Sequence, residues 1–159
     1  MKALFRFAGA VCLSLTLASV AHAVQTFSIT QGAPTIQHVD LGAAGVSHGD
    51  LLAFEAPFTT KDGKKGSMSG LITTVSLPTG GSDVFLDRIG TLVLDFGGID
   101  SLVITGKSLY GTGQGEMKDN APQVRAVTGG TGRFIGARGQ MSTTRNASGS
   151  YEHVIKLVD

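Results

Sequence analysis

Apolar and polar residues alternate along most of the chain after residue 23, and glycines separate the alternating runs. Such alternation is typical of strands that turn one face to a core and the other to water. The last run is the clearest, because Tyr151, His153, Ile155 and Leu157 fall on one face of a predicted strand. No strong helical periodicity competes with this pattern, so the chain is predicted to be all-β.

The same pattern predicts about eight strands in one domain. A first strand covers 24–30, a long irregular connection covers 31–47, and a second strand starts at Leu52. Asp62-Gly63 predicts the hairpin turn that follows it. Further strands are predicted over 67–77, 83–89, 91–96, 102–105, 123–128, 139–144 and 151–157, and an exposed loop over 110–120. Many short strands indicate a closed barrel or a sandwich, and a barrel leaves no unpaired edge.

The most distinctive run is the glycine-rich segment 129–139, which has two interpretations. It could cradle a phosphate, but its glycines lack the spacing of a dinucleotide-binding loop or a P-loop, and no helical pattern follows. The favoured interpretation is structural, a strand crossing where only glycine fits. Arg133 and Arg138 are then expected to pair with carboxylates or backbone carbonyls. The residues of this structural motif are Gly129, Gly130, Gly132, Phe134, Gly136, Arg138 and Gly139.

The N-terminus has the pattern of a signal peptide. Lys2 and Arg6 precede a short apolar run, and Ala21-His22-Ala23 has small residues at the positions that signal peptidase recognises. Cleavage after Ala23 would leave a single domain over 24–159. We therefore expect a secreted or periplasmic protein without a stable membrane anchor.

Charge and residue types exclude several classes of function. The formal net charge of the chain is +1, and no basic run is present, so no nucleic-acid partner is expected. His38, His48 and His153 are far apart in the sequence, and the single cysteine, Cys12, would leave with the signal peptide. Neither a metal site nor a disulfide is expected, and no motif indicates a cofactor.

Three side chains are candidates for catalysis. Glu55 lies among apolar residues of the second predicted strand, on the face opposite Phe54, and a buried carboxyl group could act as an acid or base. The alternative for Glu55 is a place at a barrel mouth or a subunit contact. Tyr110 and His153 could supply further polar groups, and His153 is expected in the core or lining a pocket, because its face is otherwise apolar.

Four segments together carry a family resemblance. They are Gly-Asp-Leu-Leu-x-Phe at 49–54, Asp62-Gly63 followed by Gly66, Gly70-Leu71, and Ala-Val-Thr-Gly-Gly-Thr-Gly-x-Phe-x-Gly-Ala-x-Gly-Gln at 126–140. This series resembles the allene oxide cyclase barrel-like family, which is related to plant dirigent proteins. The resemblance implies an eight-stranded antiparallel β-barrel with a hydrophobic cavity, assembled as a homotrimer and working without a cofactor.

The resemblance leaves three hypotheses for function. The favoured one is binding of a lipophilic small molecule in the central cavity, because the family's catalytic asparagine and cysteine are replaced by Ala56 and Ile72. The second is a cofactor-free cyclase (an isomerase) or a dirigent-like guide of a reactive intermediate, with Glu55, Tyr110 or His153 supplying polarity. The third is a structural barrel filled by its own side chains. The predicted cavity residues are Phe54, Ala56, Phe58, Ile72, Thr74 and Tyr110.

Overall fold

The computed structural model describes residues 24–77, 85–111 and 116–158. The predicted signal peptide lies outside these ranges, as do Asp83 and Val84 of a predicted strand. The described chain contains nine strands and one short 3₁₀ helix, in agreement with the all-β prediction. The strands are β1 (Val24–Gln31), β2 (Thr35–Val39), β3 (Leu51–Thr60), β4 (Lys65–Ser76), β5 (Phe85–Asp95), β6 (Ser101–Gly111), β7 (Gln123–Thr131), β8 (Arg138–Arg145) and β9 (Tyr151–Val158), and the 3₁₀ helix (Gly132–Phe134) follows β7.

Eight of the strands form a closed antiparallel barrel, which confirms the fold predicted through the family resemblance. From β3 to β9 each strand pairs with the next, and β1 pairs with β9 on one side and with the end of β3 on the other. β2 is an additional strand outside this ring. It pairs with the first half of β3, where Thr35 lies opposite Glu55, while β1 takes the second half, where Gln31 lies opposite Phe58.

Three details of the strand prediction were wrong. β2 lies in the region predicted as an irregular connection, because four of its five side chains are exposed and it shows no buried alternation. The two strands predicted on either side of Gly90 are one continuous strand, β5, in which Gly90 lies over Ile72. β6 continues to Gly111, so Tyr110 is a buried strand residue and not the start of an exposed loop.

One end of the barrel is filled by aromatic side chains and is called the closed end below. The ring of Phe96 lies 5.0 Å from that of Phe134 and 5.2 Å from that of Phe58, and Phe27 packs beside them. The guanidinium of Arg133 stacks on Phe134 at 4.7 Å from the ring centroid. Aromatic pairs in this range add favourable contacts beyond the burial of their area. The interior of the barrel at the closed end is therefore a packed aromatic core.

The glycine-rich segment 129–139 covers the end of β7, the 3₁₀ helix and the start of β8 at the closed end. In β7 and β8 a side chain on Gly130 or Gly139 would collide with the backbone of a neighbouring strand, as the structural interpretation expects. The structural role of the segment is also visible at Gly132, which has φ +59° in the left-handed region. A side chain there would collide with the carboxylate of Asp100 and lie 2.8 Å from the carbonyl oxygen of Ile99. The predicted pairing of Arg133 with a carboxylate is confirmed, since its Nε lies 3.3 Å from Asp100.

Gly132→Val is predicted to destabilise the fold by about 3 kcal/mol, because the side chain adds both overlap and left-handed strain. Gly129→Val is the matched control, since a side chain on Gly129 would meet open space. The control is expected to change the free energy of unfolding by less than about 1 kcal/mol. Chemical denaturation of both variants measures the difference. Equal stabilities would contradict the structural role of Gly132.

Candidate functional site

A half-enclosed cavity lies at the opposite end of the barrel, called the open end below, where β1 and β6 finish and β9 begins. Its volume is about 40 Å³, enough for about three water molecules. Both apolar walls and several buried polar groups surround it. The lining residues are Gln31, Pro34, Ile36, Phe54, Met68, Ile72, Leu92, Tyr110, Met117, Arg125, Thr143, Tyr151 and His153.

A larger groove, of about 510 Å³, lies outside the closed end over Phe27, Phe96 and Phe134. Two of its charged side chains, Lys64 and Asp62, form an ion pair of 3.0 Å and are 69% and 60% exposed. Exposed ion pairs of this kind contribute little binding energy or specificity. The cavity at the open end is therefore the stronger candidate for a site.

The predicted cavity residues are all on inward-facing positions, but only half of them line the cavity. Phe54, Ile72 and Tyr110 do so. Phe58 belongs to the aromatic cluster at the closed end, and Thr74 is buried against Arg88. Ala56 is buried in the barrel wall without lining the cavity. Their proposed contacts with a ligand stay predictions.

Tyr110 and Arg125 form a buried polar pair in the cavity. The guanidinium Nη2 of Arg125 donates a hydrogen bond of 2.9 Å to the hydroxyl oxygen of Tyr110. Only 4% of each residue is exposed. Burial raises the pKa of Tyr110, and the neighbouring arginine charges only partly oppose this effect. Tyr110 is consequently a neutral phenol at physiological pH, able to donate a hydrogen bond.

Arg88 approaches the same tyrosine from another direction. Its guanidinium lies 5.1 Å from the ring centroid of Tyr110, and its Nε donates to Thr74 at 3.1 Å. Burial lowers the pKa of Arg88, while electrostatic interactions with Tyr110 and Asp50 act in the opposite direction. Arginine keeps its proton even in such surroundings. Two positive charges therefore flank one tyrosine ring inside the barrel.

His153 is held by hydrogen bonds on both ring nitrogens. Nε2 lies 3.0 Å from Oε1 of Gln31, and Nδ1 lies 3.0 Å from Oγ1 of Thr143. An amide oxygen can only accept, so Nε2 carries the proton and Nδ1 accepts from the threonine hydroxyl. Burial, with a smaller contribution from the charge of Arg125, lowers the pKa of His153 to about 3. The imidazole is therefore neutral and oriented.

An ion-pair cluster borders the cavity at the open end. Nη2 of Arg145 lies 2.7 Å from the carboxylate of Glu116, and its Nη1 pairs with Asp119. The hydroxyl of Tyr151 donates to Glu116 at 3.4 Å. Burial and the charge of Glu116 raise the pKa of Tyr151. Glu116 is thus fully engaged by Arg145 and Tyr151 at the rim.

Glu55 is the candidate that the structure separates from the others. It is exposed on the outer face of β3, while Phe54 and Ala56 face inward. The strand alternation places Glu55 on the face opposite Phe54, as the sequence indicated, and that face is the solvent side. Glu55 therefore cannot act as an acid or base in the interior cavity, whereas Tyr110 and His153 both line it.

Sequence reasoning missed four polar residues of the site: Gln31, Arg88, Arg125 and Thr143. The sequence pattern indicated two of them. Arg125 falls on the same face of its strand as buried Val127, and Arg88 falls on the same face of its strand as buried Leu92. A charged residue at an inward position of an alternating strand is unusual. That signal was overlooked because charged residues were assumed to face water.

Within the described ranges, no group of three or more His, Cys, Asp or Glu side chains could hold a metal ion. No helix in the described part of the chain is long and apolar enough to cross a membrane. The chemistry available in the cavity is thus that of the guanidinium of Arg125, two phenols and a neutral imidazole beside an apolar wall, with Arg88 behind the ring of Tyr110.

The architecture and this interior define the chain as a closed β-barrel with a polar cavity at one end. No protein-family model matches the sequence, and no curated protein matches it. Solved structures match by fold. A pyocyanin demethylase superposes with a TM-score of 0.60 at 20% identity, over 85% of this chain and 99% of the other.

Two other solved structures broaden the comparison. A pterocarpan synthase dirigent protein has a TM-score of 0.54 at 18% identity, over 87% of this chain and 90% of the other. A Diels-Alderase from Streptomyces koyangensis has a TM-score of 0.60 at 15% identity, over 89% of this chain and 71% of the other. The resemblance to dirigent and cyclase barrels is thus confirmed at the level of the fold.

The stability of the protein is predicted to fall with pH through His153. Its pKa is about 3 in the folded protein and 6.5 as a model value, so below pH 6.5 the unfolded chain takes up a proton that the folded chain does not. Stability is therefore complete above that pH and is lost, by up to about 1.4 kcal/mol per pH unit, as the pH falls toward 3.

Denaturation curves between neutral pH and about pH 5 measure this effect, in a range where carboxylates stay ionised. His153→Gln keeps hydrogen-bonding capacity without a titrating group. In this variant the free energy of unfolding should depend less on pH. His38→Gln, which removes an exposed histidine, should keep the wild-type slope. If the free energy of unfolding of His153→Gln depends on pH as steeply as that of the wild type, the pH dependence does not come from His153.

Proposed function

We propose that the protein is an exported β-barrel that binds a lipophilic small molecule in the cavity at the open end. The observation that carries the proposal is the composition of the cavity wall. Seven of its residues are apolar, and the few polar groups converge from one side, as in small-molecule sites generally. The apolar residues are Pro34, Ile36, Phe54, Met68, Ile72, Leu92 and Met117. Export is inferred from the signal-peptide pattern that ends at Ala23.

The size of the cavity limits how a ligand binds. Sites for drug-sized molecules have volumes of about 300–1,000 Å³, whereas this cavity has about 40 Å³. It holds one end of a ligand, and the rest lies in the mouth against Ile36 and Phe54, which are only partly buried. Most of the interior is filled by side chains, as the structural hypothesis expects, and binding is confined to the open end.

Ile36→Trp is predicted to weaken binding of the neutral fluorescent probe N-phenyl-1-naphthylamine by about tenfold, since the larger ring occupies the mouth. Ile135→Trp is the matched control, because Ile135 is 84% exposed and lies at the closed end. Fluorescence titration gives the two dissociation constants. Equal affinities in the two variants, or no binding to the wild type, would sink the proposal.

A second function is favoured by one observation, the two sets of hydrogen-bonded polar groups that face the same cavity. Arg125–Tyr110 and Gln31–His153–Thr143 could orient a reactive ligand and stabilise charge that develops on it, as a cyclase or dirigent-like guide does. Fold likeness to such proteins is an analogy and does not identify a reaction.

Tyr110→Phe separates the two functions once a ligand has been recovered with the protein. A binding protein should keep its ligand unchanged in both forms. A guide should convert the ligand in the wild type and lose conversion in Tyr110→Phe, which removes the hydroxyl but keeps the ring. Mass spectrometry of the ligand after incubation makes the measurement; unchanged ligand with the wild type contradicts the second function.

A further inference from the structure

Two buried arginines in the barrel form no ion pair with any carboxylate that the structure describes. Arg88 is 6% exposed and Arg125 is 4% exposed, and neither forms an ion pair within 4.0 Å of any carboxylate in the described ranges. Both contact Tyr110, Arg125 at the hydroxyl and Arg88 at the ring face. Buried charges in proteins are normally paired, because an unpaired charge loses its hydration without compensation.

Unused donors accompany these charges. Nε of Arg125 and Nη1 of Arg88 are buried and have no hydrogen-bond partner among the described residues, and the hydroxyl of Ser108 is in the same condition. Each group would normally be satisfied in a native structure. Arg125 is one of the residues that line the cavity. The hydroxyl proton of Tyr110 is also unused in the hydrogen bond from Arg125.

Two carboxylates in the described chain bear on these arginines without forming an ion pair with them. The charge of Asp50 raises the pKa of Arg88, and the oxygens of Asp50 accept from the backbone of Leu41 at 3.0 Å and of Ser47 at 2.6 Å. Glu116 is bound by Arg145 and Tyr151 at the rim. His153 is neutral, so it neither adds to the positive charge nor offsets it.

We infer that the cavity binds the oxyanion of an amphipathic organic acid, a carboxylate on an apolar body, with Arg125 and Tyr110 donating to it and Arg88 adding positive charge across the tyrosine ring. This inference rests on the proposed function, because the apolar body is the lipophilic part that occupies the mouth. It adds the chemical class of the ligand.

The dimensions of the cavity agree with this occupant. A volume of about 40 Å³ accommodates about three water-sized atoms, and a carboxylate group has three heavy atoms. Guanidinium and carboxylate groups form short charge-assisted hydrogen bonds that are stronger than those between neutral groups. The apolar body then packs against Ile36, Phe54 and Met117 in the mouth.

The test compares two probes of the same shape, 1-naphthoate and 1-naphthalenemethanol, by isothermal titration calorimetry. The wild type should bind naphthoate about 10- to 100-fold more tightly, since a hydrogen bond to a charged group is stronger. Arg125→Met, which keeps an unbranched apolar side chain but removes the guanidinium and its charge, should remove most of this preference. Arg138→Gln is the control, because Arg138 is exposed on β8 at the closed end.

Each possible result supports or overturns a stated part of the inference. Equal binding of the two probes by the wild type overturns the inference and leaves lipophilic binding standing. Binding of neither probe overturns both proposals. If Arg138→Gln loses the preference for naphthoate to the same degree as Arg125→Met, the anion is attracted by the surface charge in general. That result overturns binding of the carboxylate by Arg125. Should Arg125→Met not fold, the wild-type comparison decides alone.

Discussion

The backbone pairing of β1 with the end of β3 closes the sheet, and the rest of the structure depends on that closure. Once the ring is complete, every second side chain of each strand leaves water, whatever its chemistry. Where these side chains are apolar, they form a core; where they are polar, they must find partners inside. Gln31, Thr143 and His153 meet this requirement through a chain of hydrogen bonds. Arg88 and Arg125 do not meet it fully.

The two ends of the barrel are filled by different kinds of side chain. At the closed end, Phe58, Phe96 and Phe134 pack together, and the turn at Gly132 fits only because it has no side chain. At the open end, charged and polar groups surround a small cavity. A protein selected for stability alone would replace the buried arginines, since apolar residues at such positions are often more stable. Their presence supports the proposed binding of a ligand at the open end.

The alternation of the sequence predicted the barrel well, because burial inside a closed sheet follows the same period of two. It placed His153 correctly on the inner face of the last strand. It missed β2, whose side chains are mostly exposed and therefore do not alternate. It also missed Arg88 and Arg125, because both are charged residues at inward positions, where the alternation predicts apolar side chains. Tyr110 was expected at the start of a loop. It lies an even number of residues after Leu102 and Ile104, however, and so faces the interior as they do.

The central claim is that the open end receives an organic anion against Arg125. A crystal structure of the protein with a bromine-labelled naphthoate tests it most directly, because the anomalous signal of bromine fixes the position and direction of the ring. We predict the carboxylate within hydrogen-bonding distance of Arg125 Nε and the ring in the mouth beside Ile36. Bromine located only in the groove outside the closed end, or on the outer face of the barrel, would contradict the account.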